Sequence, residues 1–214
     1  TCPHSIGSTA KPLSRSLPRC PPAYPLAQRL ALRIAELRDK ATKTVFTQLV
    51  LDGGWALETS PPHAFHFDPL CYPVPANKRY RGKFPFPKHF FPVLSDLEDG
   101  GEEWRCALAI DEHPQVKRWV RNLDSDPVAG FWLPTSSGRF YPDFVCELVD
   151  RRLFVAEYKG DHLRGLAKEI EKGQVGQVWA QHSDGKAVFA MLYKTEHGLA
   201  ITQQIDKALG TLRG

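Results

Sequence analysis

Apolar positions recur at three- and four-residue spacing through residues 26–51: Leu30, Ile34 and Leu37, then Phe46, Leu49 and Val50. That spacing predicts a helix, which Asp52-Gly53-Gly54 stops. From Gly100 the rhythm changes. Residues 102–112 read as a helix ended at His113-Pro114, because proline disfavours a helical residue before it. Residues 116–120, 130–133, 140–149 and 153–159 read as strands. Residues 163–181 read as a helix, 187–193 as a strand and 201–212 as a closing helix. This succession predicts an α/β fold in which a mixed central sheet is flanked by helices.

The remaining chain divides by composition. Residues 1–25 carry six prolines among scattered Ser and basic residues, too little apolar surface to offset ordering entropy, and read as a tail or linker. Residues 26–95 read as the first helix plus a basic, aromatic connecting segment, in which Ala64-Phe65-His66-Phe67 reads as extended. Residues 96–214 read as the core. A length of 214 residues with 42% hydrophobic content suits one globular domain with chain to spare. No stretch reaches the roughly 18–20 apolar residues of a membrane helix. The chain starts at Thr1 without a basic, then apolar, leader, so no secretory signal is expected and a longer parent is. Five cysteines (2, 20, 71, 106 and 146) include no CxxC pair, which argues against a disulfide framework or zinc finger and makes the cytoplasm the expected compartment. A net charge of +4 is too small to imply a nucleic-acid partner alone.

The informative chemistry is Tyr141-Pro142-Asp143 followed by Glu157-Tyr158-Lys159. If the two strands form a hairpin turning near Asp150-Arg151, Asp143 stands opposite Tyr158, between Glu157 and Lys159. Side chains two apart in a strand share a face, so Glu157 and Lys159 point together. Three ionisable groups then gather beside the apolar run Leu153-Phe154-Val155-Ala156, where charge needs a reason. Two carboxylates suit Mg²⁺, with Mn²⁺ as a substitute, and a lysine can orient water or neutralise phosphate charge. An ordinary salt bridge at a hairpin end is the bland alternative. Asp184-Gly185-Lys186 matches the same tripeptide, but Gly185 marks a turn. A third carboxylate is expected from the helix over 102–112. Glu103 shares a face with Cys106, Ala107 and Ile110 and is preferred; Glu102 is the rival, and either could simply favour a helix start.

Residues 75–92 contain Lys78, Arg79, Arg81, Lys83 and Lys88 with no acid, interleaved with Tyr80, Phe84, Phe86, Phe90 and Phe91. Two readings stay open: a lip that holds a nucleic-acid strand, or a lid whose aromatics pack inward while its cations face water. His63-x-x-His66 lacks a third zinc ligand at a convincing spacing and reads as structural.

Glu103, Pro142-Asp143 and Glu157-x-Lys159 resemble the PD-(D/E)XK nuclease pattern. The wider sequence resembles the C-terminal region of type III restriction enzyme subunits and related DEAD/DEAH-type helicases. The matching pieces are Phe65-His66-Phe67-Asp68-Pro69, Phe86-Pro87-Lys88-His89, Gly101-Glu102-Glu103-Trp104, His113-Pro114-Gln115-Val116-Lys117, Phe131-Trp132-Leu133-Pro134-Thr135, Phe140-Tyr141-Pro142-Asp143-Phe144 and Glu157-Tyr158-Lys159-Gly160. The resemblance runs from about residue 27 to residue 195. It implies a restriction-endonuclease-like fold, Mg²⁺-dependent cleavage of DNA, and Asp143, Glu157 and Lys159 as the catalytic core. It also implies a polar or basic residue on the following helix, where Lys172 and Gly176-Gln177-x-Trp179 stand. The helicase motor that such proteins carry upstream has a GKT-type phosphate loop, which is absent from this sequence. The chain is therefore expected to be a fragment of a helicase-nuclease whose partners are a helicase motor and a modification subunit absent from this chain. The competing expectation is a non-catalytic DNA-binding or docking module.

Overall fold

The computed structural model describes residues 24–46, 72–124, 130–160 and 165–211. The proline-rich start, the 47–71 stretch with His63 and His66, and three of the five cysteines lie outside them. Among the described residues no helix is long and apolar enough to cross a membrane.

Helix α1 (Tyr24–Phe46) begins near where the apolar spacing begins, and Leu30, Ile34 and Leu37 along it are exposed. The described remainder is a mixed α/β body. Helix α2 (Glu102–Glu112) leads into β1 (Val116–Arg121); β2 (Leu133–Thr135) and β3 (Gly138–Phe140) make a small hairpin. Strands β4 (Phe144–Leu148) and β5 (Leu153–Lys159), helix α3 (Ala167–Gln181) and strand β6 (Ala187–Tyr193) follow. A short β7–β8 hairpin (Thr195–Glu196, Leu199–Ala200) leads to α4 (Ile201–Leu209). The main sheet has the order β1-β4-β5-β6, antiparallel for the first two pairings and parallel for the last.

Strand alternation divides the core. Phe144, Cys146, Phe154, Ala156 and Tyr158 pack with Cys106, Ala107 and Ile110 of α2 and Ile205 of α4. On the opposite face Val145 and Val155 pack with Val175 of α3 and with Leu133, Phe140 and Phe189. Gly176 lets α3 lie close on β6: a Cβ there would come within 2.3 Å of the Phe189 ring.

The segment ahead of α2 belongs to the first face. Phe86, Leu94 and Leu97 are buried in it. Phe86 meets Trp119 edge to face at 5.5 Å, and the Phe90 N–H and Lys88 C=O bond the backbone of Trp119 at 2.8 and 3.0 Å. This segment therefore runs along the outer side of β1. At the other side of the sheet, Gln177 donates to the Phe189 carbonyl at 3.1 Å, and Gln204 accepts from the Tyr193 N–H at 3.0 Å and donates to its carbonyl at 2.8 Å.

Four sequence expectations need correction, the first being the helix expected over 163–181, which begins only at Ala167. The strand expected over 130–133 begins only at Leu133. The strand expected over 140–149 is two strands, because Pro142 has no N–H to offer a ladder and separates β3 from β4. The closing helix stops at Leu209 rather than 212, where Gly210 adopts φ 74° and the left-handed cap. The β7–β8 hairpin has no counterpart among the sequence expectations.

Candidate active site

Strand β5 carries an apolar run that anchors it in the core, and its last rungs carry Glu157 and Lys159 out of that core. The turn joining β4 to β5 fixes what they face. It is a three-residue loop, Val149-Asp150-Arg151, with Arg151 at φ 70° and with Leu148 and Arg152 bonded across it. A two-residue turn would have placed Asp143 opposite Tyr158. The extra loop residue moves the register by one, so that Phe144 pairs with Ala156 and the next rung sets Asp143 against Glu157.

Each acid accepts a backbone N–H from the opposite side of the hairpin. The Asp143 N–H donates to Glu157 Oε2 at 3.0 Å, and the Tyr158 N–H donates to Asp143 Oδ2 at 2.8 Å. Asn122, at the end of β1, holds the same corner. Its side-chain amide donates to the carbonyls of Phe131 and Pro142, both at 2.7 Å, and its own N–H donates to the Asp143 carbonyl at 2.9 Å. Asp143 is thus positioned from both sides.

Glu157 is 3% exposed. Burial first, and the neighbouring Asp143 carboxylate second, push its carboxyl up to about 8. Such a pair offers oxygen donors only. That chemistry fits a hard divalent cation held by two carboxylates with water and substrate oxygens completing the shell.

Four further charged residues close around the pair. Lys159 Nζ lies 2.7 Å from Glu157 Oε1 and 3.0 Å from Glu169 Oε2. Lys172 Nζ lies 3.2 Å from Glu169 Oε1, 3.6 Å from Glu157 Oε1 and 5.2 Å from the centre of the Phe140 ring. Burial lowers the Lys159 pKa, but the carboxylates of Glu157 and Glu169 outweigh it and hold the ammonium above its ordinary value. Burial raises the Glu169 pKa, and the two lysines overcome that and pull it down. On the other side, Arg121 at the end of β1 reaches Asp143 Oδ1 at 3.3 Å and Glu103 Oε2 at 2.5 Å, its guanidinium over the Phe144 ring.

Asp143, Glu157, Lys159 and Lys172 therefore come together. Glu103 does not join them as a third ligand: Arg121 stands between it and Asp143, and Glu102 is exposed. Among the described residues no three His, Cys, Asp or Glu side chains form a metal-holding group. Asp184-Gly185-Lys186 is a turn, with Gly185 at φ 74°.

The basic segment separates by residue type. Phe86 and Phe91 are buried, Tyr80 bonds the Trp104 indole at 2.8 Å, and Phe84 packs edge to face on Phe86 and Trp104. Those rings face protein, as the lid reading requires. Lys78, Arg79, Arg81 and Lys83 are exposed. Lys88 is used inside the fold: its ammonium donates to the His113 carbonyl at the end of α2, 2.8 Å away.

Sequence reasoning misses Arg121, Asn122 and Glu169. Glu169 has a readable signal, an acid one helical turn before the singled-out Lys172. Arg121 and Asn122 have none, since only the packing of β1 on β4 delivers them here. No protein-family model, curated protein or solved structure matches this chain.

Proposed function

We propose that this protein is a metal-dependent endonuclease hydrolysing DNA phosphodiester bonds, with a restriction-endonuclease-like fold of the PD-(D/E)XK type. One observation carries the reading: Asp143 and Glu157 meet at the end of a hairpin in a mixed α/β body, with Lys159 2.7 Å from Glu157. Asp143 and Glu157 would hold Mg²⁺ or Mn²⁺. When bound, the cation supplies a polarised phosphoryl oxygen and a water of lowered pKa. The chain's own residues do the rest. Asn122 and the backbone of Tyr158 fix Asp143. The Lys159 ammonium, held on the same strand face as Glu157, orients the attacking water or neutralises charge that grows on the phosphate. Lys172 offers a second donor beside it. Lys78, Arg79, Arg81 and Lys83 can meet phosphates at a distance from the reaction without reading bases. ATP-driven movement and site recognition would belong to partners, a helicase motor and a modification subunit.

A second reading has one observation in its favour. Lys159, Lys172 and Arg121 already neutralise the acids, as in a module that binds DNA without cutting it. Incubating the full chain with plasmid DNA in Mg²⁺ or in EDTA separates the two. Slow, ATP-independent cutting without a preferred site, present only in Mg²⁺ and lost in Asp143→Ala, supports the nuclease. Intact plasmid in both conditions sinks it.

A further inference from the structure

Glu169 has no part in the reaction just described, yet it touches both lysines of the site. Each of its oxygens takes one ammonium: Oε2 is 3.0 Å from Lys159 and Oε1 is 3.2 Å from Lys172. A carboxylate that bridges two cations in this way carries the same single negative charge as a phosphodiester. It also presents two oxygens side by side, as the non-bridging oxygens of a diester do.

The lysines do not depend on Glu169 for their places. Lys159 is anchored by β5 and by Glu157 at 2.7 Å, and Lys172 by α3 and by the Phe140 ring at 5.2 Å. Glu157, in contrast, is locked to the Asp143 backbone and is nearly all buried. Glu169 sits on the first turn of α3, a few residues after Gly165 at φ 79°, with its side chain 14% exposed. Asp143 is more exposed, at 19%, but accepts from the Tyr158 N–H, so Glu169, held by the two lysines, is the anion that a rotamer change can release to solvent.

We infer that the Glu169 carboxylate occupies the seat of the substrate phosphate on Lys159 and Lys172, and that DNA must displace it to bind productively. The inference rests on the nuclease reading for the identity of the ligand. Displacement makes the free enzyme a poor phosphate binder, and the cost of releasing Glu169 is subtracted from affinity.

The test is the affinity of the full chain for a short fluorescein-labelled DNA duplex in EDTA, read by anisotropy. Glu169→Gln and Glu169→Ala should both bind at least about tenfold tighter than the parent, the scale of removing one like charge from beside a bound phosphate. Adding Lys172→Gln to either variant should erase the gain. The same melting transition in both variants as in the parent shows that the fold is unaffected. Affinity equal to or weaker than the parent's in both variants would overturn the inference and leave Glu169 as an orienting partner of Lys159. Cleavage of plasmid is scored separately. Tighter binding by the variants with no cutting by the parent in Mg²⁺ keeps the phosphate seat and removes the nuclease. Cutting by the parent with unchanged variant affinity does the opposite.

Discussion

Among the described residues two acids are almost wholly buried, Asp111 at 2% and Glu157 at 3% exposure, and their surroundings differ in kind. Asp111 Oδ1 accepts from the Trp119 indole at 2.7 Å and from the Lys88 N–H at 3.0 Å. Both donors are neutral and belong to packed segments, so the carboxylate works as a joint between α2, β1 and the segment before them. Glu157 faces another carboxylate and two ammoniums. Burial alone therefore marks neither structure nor chemistry. The nature of the partners does, since neutral donors make a joint, whereas a second acid with charged partners makes a cluster of perturbed ionisable groups.

The contrast can be broken most sharply by deletion on the reactive side. Asp143→Ala or Glu157→Ala should reduce plasmid cleavage by at least about 10²-fold, the scale of losing one electrostatic interaction with a transition state, while the variant still folds. Each deletion relieves repulsion but also removes acceptors, those of the Tyr158 N–H and Arg121 for Asp143 and those of the Asp143 N–H and Lys159 for Glu157. Thermal unfolding should therefore come somewhat earlier than in the parent. Either variant cutting at the parental rate would return Glu157 to the same class as Asp111.

The mirror experiment is Asp111→Ala. It leaves the buried Trp119 indole N–H and the Lys88 N–H without an acceptor and should cost about 3 kcal/mol of stability. Urea unfolding measures it. A loss below about 1 kcal/mol would mean that water replaces the joint.

A third measurement sharpens the comparison through protons. Folding raises the Glu157 carboxyl from 4.5 to about 8, so the folded chain binds a proton that the unfolded chain has released between those values. Its contribution to stability is full below about 4.5 and is lost as pH rises to about 8. His89 acts with the opposite sign lower down. Burial drops it to about 4, so its share of stability is lost as pH falls from 6.5 toward that value. Melting temperatures in EDTA should therefore decline from pH 5 to 9 more steeply in the parent than in Glu157→Gln, an interval that spans most of the Glu157 shift. Parallel curves would deny that Glu157 is perturbed.

The smallest effect belongs to the exposed cations. Neutralising Lys78, Arg79, Arg81 and Lys83 should weaken DNA binding at all sequences alike. The log-log salt slope should flatten by about 0.7–0.9 for each phosphate that the protein no longer neutralises. An unchanged slope would leave this segment as a lid alone. Lys88→Gln is the useful control, because its ammonium already serves the His113 carbonyl.

Much of this architecture is readable from local pattern. Helix α2, β5 and β6 begin and end where periodicity and Pro114 say they should, because their apolar residues all serve one packed body. The register escapes that pattern for a local reason too: Arg151 adopts a left-handed φ that sequence would sooner give to glycine, and the loop gains a residue. The site is legible where its residues lie on neighbouring rungs, as Asp143, Glu157 and Lys159 do. It is illegible where packing brings distant positions together. Arg121 looks like a solvated strand end until Glu103 and Asp143 close on it from α2 and the start of β4. The split of the basic segment into inward rings and outward cations likewise depends on Trp104 and Trp119, which lie outside that segment.

Among the described residues, both flanks of the main sheet have rungs already occupied by the chain itself. Beside β1, the chain's own residues 88–90 take the rungs at Trp119; beside β6, side-chain amides from α3 and α4 take them at Phe189 and Tyr193. A stray extended chain arriving at β6 would find glutamines already standing where its peptide groups should dock. At these rungs an added strand would have to displace bonds that the chain already makes. Gln204→Ala would reopen that flank, and its trace should be fibre formation under conditions in which the parent stays dispersed.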